Sequence, residues 1–424
     1  MWRTVLLGTM LSLASLADSL QAQRPEPPRL LDDIRFLSDD RLQGRMTGSS
    51  GADSAAAYLA RRFSQVGLQP AAGGWFQSFT VGREAPAAKP AQIGPLVGKN
   101  VVGILPGRDP VLRNQTVILG AHYDHLGLGG FGSLDPDSTG LVHNGADDNA
   151  SGAAALIQVA ARLAASPPAR TVVFIAFSGE ELGLLGSAYY VKHPIYPLAS
   201  TLAMVNLDMV GRLRNGRLIV FGARSAKEFP ALLDSLNWYA GLDMKAQGDG
   251  YGPSDHSSFY AAKRPVLHLF TDLHEDYHRT TDDWQKVNYD GLKRVADFSL
   301  GLVTALANRM KPLTFLDLPT PPTSQTEPPP FGTPGYGAYL GTVPDMTGSP
   351  GGVRLVGVRA GSPAEKAGLR GDDIITRIGR TETPDLQAMT DALRSHKPGE
   401  VVEILVRRGA KVTTLQATLG TRGG

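Results

Sequence analysis

Two glutamates, Glu180 and Glu181, follow the apolar run "TVVFIAF" (171–177) after only Ser178 and Gly179. Ionised carboxylates delivered together at the end of a buried segment are costly unless a cation or a hydrogen-bond network receives them. Four other stretches repeat that pattern: "AHYDH" (121–125) after "TVILG", "NGADDNASG" (144–152) before an Ala-rich run, "NLDMVG" (206–211), and "HEDYHRTTDD" (274–283) after "RPVLHLF". The chain has no cysteine. Disulfides and thiolate metal sites are therefore excluded, and a metal must be held by His, Asp and Glu. Two histidines with several acids is the ligand chemistry of hydrolytic zinc. Two ions about 3.5–4 Å apart would need a bridging carboxylate and about two further ligands each.

Other chemistries find less support. There is no HExxH, no P-loop and no GxSxG nucleophile elbow. "GLGGFG" (127–132) satisfies G-x-G-x-x-G, but "SLDPDSTG" follows it where a phosphate site needs a helix N-terminus, so it reads as a flexible loop. The formal net charge is +2 over 424 residues, with 42% hydrophobic and 19% charged residues. That describes globular domains, two by length, and argues against nucleic acid or an anionic membrane as the main partner.

The elements that must position these clusters alternate along the chain. Helical pattern covers 29–67, with Ala56, Leu59, Ala60 and Phe63 on one face and a stop at Gly67. Apolar runs at 100–107, 116–127, 171–177, 201–211, 216–222 and 264–270 read as strands, separated by helices at 150–166 and near 225–240, with a closing helix near 288–310. Continuous apolar strands between helices predict an α/β fold: a mostly parallel mixed sheet sandwiched by helices. Loops at the carboxyl ends of such strands converge on one crevice. His122, Asp148, Glu180, Glu181, Asp208 and His278 are then expected to meet there.

In their order along residues 29–310, "GAHYDH", "NGADDNASG", "FSGEELGLLGS", "NLDMVG", "GYGPSDHSSF" and "DYHRTTDD" resemble the co-catalytic zinc aminopeptidases of metallopeptidase clan MH, the aminopeptidase Y and transferrin-receptor-like group. The resemblance implies the zinc exopeptidase fold and two Zn²⁺ per chain. It implies that His122 and Asp208 bind one zinc, Glu181 and His278 the other, and that Asp148 bridges both. Glu180 would be the general base, Asp124 would orient His122, and Tyr251 would stand near the scissile carbonyl. Asp255 and His256 match a motif of the family without a derivable role. The protease-associated insert common in the family is missing, since only about 40 residues separate Trp75 from Thr116. The implied function is an aminopeptidase acting on peptide or protein substrates. A carboxypeptidase, an aminoacylase-like hydrolase, a glutaminyl cyclase or a non-enzymatic receptor-like protein are the alternatives on this scaffold.

The rest of the chain supplies its organisation. Residues 1–22 show the signal-peptide pattern: an Arg, an apolar stretch from Val5 to about Leu16, and small residues ending at Ala22. It is too short for a good membrane span. The expectation is an exported protein, periplasmic or extracellular, with no membrane span in the mature chain. A catalytic domain over 24–311 is followed by a Pro-rich linker at 312–330. Residues 331–420 resemble a PDZ domain of bacterial proteases, small and β-rich, which would take a peptide C-terminus or β-strand beside the helix around "DLQAMTDALRSH" (385–396).

Overall fold

The computed structural model describes residues 29–81, 96–317 except 131, 134–137 and 275, and most of 338–420. The expected signal peptide lies outside the described residues, as do 318–337 of the expected linker and its surroundings.

The catalytic unit runs in the order α1 (Leu30–Leu37), α2 (Ser50–Gln65), β1 (Gln69–Pro70), β2 (Phe76–Val81), β3 (Leu96–Leu105), β4 (Thr116–His122), α3 (Gly152–Ala164) and β5 (Thr171–Phe177). It continues with α4 (Leu185–Lys192), β6 (Thr201–Leu207), β7 (Arg217–Phe221), α5 (Phe229–Ala240), β8 (Asp243–Gln247), α6 (His256–Ala261), β9 (Val266–Phe270) and α7 (Tyr289–Asn308). The single helical stretch expected over 29–67 is two helices. Between them the chain turns through left-handed Gln43, Gly44 and Arg45, and Ser49 caps α2 by accepting from the Ala52 N–H at 3.1 Å.

One mixed sheet has the order β1-β3-β5-β4-β6-β9-β7-β8, with β2 also on β3. Strands β5, β4, β6 and β9 are mutually parallel, while β3 and β7 join antiparallel at either side. The central strands are buried on both faces, which explains their unbroken apolar runs. In β5, Val172, Phe174 and Ala176 face the core beneath α1, α2, α3 and α7. Val173, Ile175 and Phe177 face a second core with Phe259 and Tyr260 of α6 and Tyr190 of α4. This is the expected α/β sandwich. The start of the expected linker lies on this unit: the Leu316 N–H donates to the Ser225 carbonyl at 2.9 Å and the Tyr260 hydroxyl to the Leu316 carbonyl at 2.9 Å.

The C-terminal unit comprises β10 (Thr342–Pro344), β11 (Val353–Val358), α8 (Pro363–Lys366), β12 (Ile374–Ile378), β13 (Thr381–Glu382), β14 (Val401–Arg408) and β15 (Lys411–Thr418). Its strands pair antiparallel in the order β10-β11-β12-β14-β15. They close on a separate core that includes Leu340, Leu355, Ile375, Ile404 and Met389. Among the described residues no helix is long and apolar enough to cross a membrane.

Candidate metal centre

The parallel strands β4, β5 and β6 end side by side, and their carboxyl-terminal residues and loops build one cluster. His122 is the last residue of β4. Its Nε2 lies 3.2 Å from Asp148 Oδ1 and 3.2 Å from Oδ1 of Asp208, the residue after β6. From the loop after β9, His278 Nε2 lies 3.2 Å from Asp148 Oδ2 and 3.3 Å from Glu181 Oε2. The two oxygens of Asp148 therefore serve opposite sides of the cluster. Each side holds one imidazole nitrogen and one further carboxylate. These donors lie within reach of common cations: His122, Asp148 and Glu181 form one group of convergent ligand atoms, and His122, Glu180 and Asp208 another. Such a set, all nitrogen and oxygen with a shared central carboxylate, fits zinc.

The glutamates that close β5 part company. After Phe177 the chain turns at Gly179, whose φ of 76° puts it in the left-handed region that glycine adopts freely. The Gly179 N–H donates to the Thr47 hydroxyl at 2.9 Å and the Glu180 N–H to Asp124 Oδ1 at 3.3 Å. Glu181 then joins the His278 side, where His125 Nδ1 lies 2.7 Å from its Oε1. Glu180 groups instead with His122 and Asp208.

Their acidities separate as well. Burial pushes Glu180 well above the ordinary carboxylate range, reinforced by Glu181, Asp208 and Asp255 against the pull of His122. For Glu181 burial acts the same way, but His278 and His125 outweigh it and hold the carboxyl at about 2. The two neighbouring carboxyls are thus held at opposite ends of the acidity scale. His122 is opposed by burial, yet Asp208, Glu180 and Asp148 raise it well above an ordinary imidazole.

Supporting residues fix this arrangement. Asp124 meets His122 Nδ1 through its main-chain oxygen at 3.2 Å, with its carboxylate 3.8 Å away. That carboxylate accepts from the Thr47 hydroxyl at 2.8 Å as well as from the Glu180 N–H. Ser254 donates to Asp208 Oδ2 at 2.7 Å, and the Gly132 carbonyl accepts from His278 Nδ1 at 2.8 Å. The "GLGGFG" loop is thus part of the centre's frame, with left-handed glycines at 127, 129, 130 and 132. Asp282 Oδ2 receives the N–H groups of both Asp147 and Asp148 at 2.8 and 3.0 Å. Fully buried Arg45 donates to the carbonyls of Tyr123, Asn144, Gly145 and Leu37, clamping the loops that carry His122 and Asp148.

The structure brings together His122, Asp124, Asp148, Glu180, Glu181, Asp208 and His278, all named from sequence. The Tyr251 ring packs instead beside the apolar cluster of Phe177, Tyr190 and Phe259, edge-on to Tyr260 at 4.8 Å. Asp255 lies buried near the cluster, its carboxyl raised to about 7 by burial against the opposing pull of His122. The His256 ring stacks on His268 at 4.4 Å. His125, Thr47, Arg45 and Asp282 were not singled out from sequence. For His125 a signal existed, because it closes the same "HYDH" stretch as His122.

An α/β sandwich with a carboxylate-bridged histidine and acid cluster at its strand ends defines a zinc exopeptidase fold. Residues 100–303 match the model of peptidase family M28, and residues 338–419 match that of a PDZ domain. The chain carries an M28 peptidase domain over residues 100–303 and a PDZ domain over residues 338–419.

Leupeptin-inactivating enzyme 1 of Streptomyces exfoliatus is 29% identical over 295 residues, covering 66% of this chain and 58% of that protein. Aminopeptidase YwaD of Bacillus subtilis is 27% identical over 235 residues, covering 51% and 46%. The chain spans about half the length of the curated relatives it matches. Among solved structures, a Zn-dependent exopeptidase from Parabacteroides distasonis aligns with a TM-score of 0.55 at 19% identity, covering 67% of this chain and 100% of that one. A Bacteroides thetaiotaomicron glutaminyl cyclase bound to N-acetylhistamine aligns at 0.53 and 17%, covering 66% and 98%. At such identities these likenesses establish the fold.

Proposed function

We propose that the protein is an exported dizinc aminopeptidase that removes N-terminal residues from peptides. The observation that carries this reading is Asp148, whose two oxygens each face a different histidine at 3.2 Å. His122 and Asp208 would hold one ion, Glu181 and His278 the other, and Asp148 would serve both. Zinc held there would supply Lewis-acid chemistry, acidifying a water and polarising a carbonyl. Glu180 takes the water proton and returns it to the leaving amine, work that suits a carboxylate whose acidity is weakened by burial. Glu181 remains ionised under His125 and does not compete for that proton. Asp124 holds the Glu180 backbone and orients His122. Tyr251 is assigned a place near the scissile carbonyl on the family resemblance alone. The PDZ unit binds an extended peptide or its C-terminus at the edge strand β10.

Metal content together with a panel of aminoacyl, N-blocked and N-terminal Gln peptides tests the reading. Two zinc ions per chain and cleavage of unblocked peptides are expected. Cleavage of N-blocked peptides alone would remove "aminopeptidase", and cyclisation of N-terminal Gln would move the protein to the chemistry of its glutaminyl cyclase neighbour. Deletion of residues 331–424 should slow turnover of polypeptides but not of aminoacyl dyes. Equal rates on both would leave the PDZ unit without a role in substrate capture.

A further inference from the structure

Beside the metal cluster lies a cavity of about 430 Å³, walled by the segment after β6 and the segment that leads into α7. Arg212, Arg214 and Lys286 line it, with Asp276, His274 and the α7 N-cap Asn288. Three permanent cations therefore face one lining carboxylate. Arg212 Nη2 reaches Asp276 at 3.0 Å and Asp282 at 3.2 Å, and Lys286 pairs with the other Asp276 oxygen. Arg214 is exposed, and its contact is the Leu273 carbonyl at 2.6 Å, not an acid.

Among the described residues, Arg212 Nε is a buried donor without a hydrogen-bond partner. The His274 ring is already set between two carboxylates, its Nε2 3.1 Å from Asp147 and its Nδ1 4.0 Å from Asp276. Buried donors without partners are uncommon where no ligand is expected. The remaining fork of Arg212 and the charge of Arg214, which meets no acid among the described residues, match a planar or tetrahedral anion. The N-terminus of the 20-residue helix α7 adds partial positive charge on the same side.

We propose that this cavity is a binding site for a small oxyanion, a carboxylate or a sulfate- or phosphate-like group, held by Arg212, Arg214 and Lys286. The site is separate from the zinc ligands and does not depend on the peptidase reading. It is mechanically linked to them, because Asp282, which pairs with Arg212, also receives the backbone N–H groups of Asp147 and Asp148. An anion arriving as the terminal carboxylate of a peptide and one arriving as a free inorganic ion would use the same groups.

Calorimetric titration of the zinc-loaded full chain with sulfate and with acetate, at constant ionic strength in chloride, tests the assignment. One saturable site with a Kd in the millimolar range, about −4 kcal/mol, is expected for the better anion. Tighter acetate identifies a carboxylate site and tighter sulfate a tetrahedral one. Arg214→Gln and Lys286→Gln should each weaken binding at least about 10-fold, because each removes one full charge from the cavity. Glu180→Gln should leave it unchanged. Both substituted side chains are at least partly exposed, and unchanged melting curves would confirm folding. A selenate peak beside Arg212 in a crystal is the independent positive. No saturable binding of either anion, wild-type binding in both variants, or selenate found only at the zinc ions would overturn the proposal.

Discussion

His122 and His278 reach the same carboxylate from unlike supports. His122 ends a central strand, its side chain is 1% exposed, and its ring is backed by the Asp124 main chain. Asp208 follows the neighbouring strand and is held by Ser254. His278 sits on a loop with a left-handed φ of 56°, its side chain is 15% exposed, and its ring is backed by the carbonyl of Gly132 in another loop. For a histidine that φ is a sparsely populated conformation, sustained by the surrounding contacts. The sheet sets one half of the centre, and packed loops set the other. A ligand on a strand end keeps its place when a loop loosens; a ligand on a loop does not.

This asymmetry can be broken from the middle outward. Asp148→Ala should have the largest effect, removing the carboxylate proposed to serve both ions and leaving no tightly held metal. Activity should fall to background and metal analysis should give less than one ion per chain. Glu180→Gln should also lose about 10³-fold in kcat, within the span expected of a general base, while keeping both ions. Full turnover in that variant would exclude Glu180 from proton transfer. His278→Ala should keep one ion per chain, bound on the strand-borne side, and limiting chelator should strip wild-type protein to the same state. Loss of both ions in step would show that the halves are not independent.

His125→Ala probes the loop-borne half more gently. His125 touches Glu181 at 2.7 Å and, after His278, helps to hold its carboxyl low against burial. Removing it should weaken the ion on the Glu181 side by about 10–100-fold and spare the other. Competitive titration with a zinc dye would resolve two affinities, only one of them shifted.

The strand-borne half was largely legible in the sequence and the loop-borne frame was not. "TVILGAH", "TVVFIAF" and "NLD" announce strand ends, because parallel strands buried on two faces must be apolar until they leave the sheet. Each acid or His just beyond that limit stands out. The parting of Glu180 and Glu181 was less legible, because it depends on the left-handed turn at Gly179 beyond the end of the strand. Arg45, Thr47 and Asp282 gave no comparable signal. Arg45 lies in a turn between helices and acts on carbonyls up to 100 positions away. Asp282 sits among other acids in "HRTTDD", and its receipt of two N–H groups is visible only after residues 135 positions apart are packed together. Such contacts use the commonest polar chemistry, so their residue types say nothing about their partners.

The smallest expected effect concerns how the loop around His278 is fastened. Asp276, two residues before His278, accepts from the Thr281 hydroxyl at 2.6 Å and pairs with Lys286 and Arg212. Burial alone would raise its carboxyl, but those partners hold it at about 2. Its folded-state pKa is depressed, so its stabilisation is complete above the unfolded value of about 3.9 and disappears as pH falls through about 2. Its partner Lys286 is 43% exposed, and solvent screening of that pair limits the effect to roughly 1 kcal/mol. Asp276→Asn should therefore melt slightly below wild type at pH 5 and above, and the two curves should converge towards pH 2. The variant should also bind the ion on the His278 side more weakly and leave the strand-borne ion alone. A melting difference that persists at pH 2 would assign the effect to packing, not to the charge that tethers the loop.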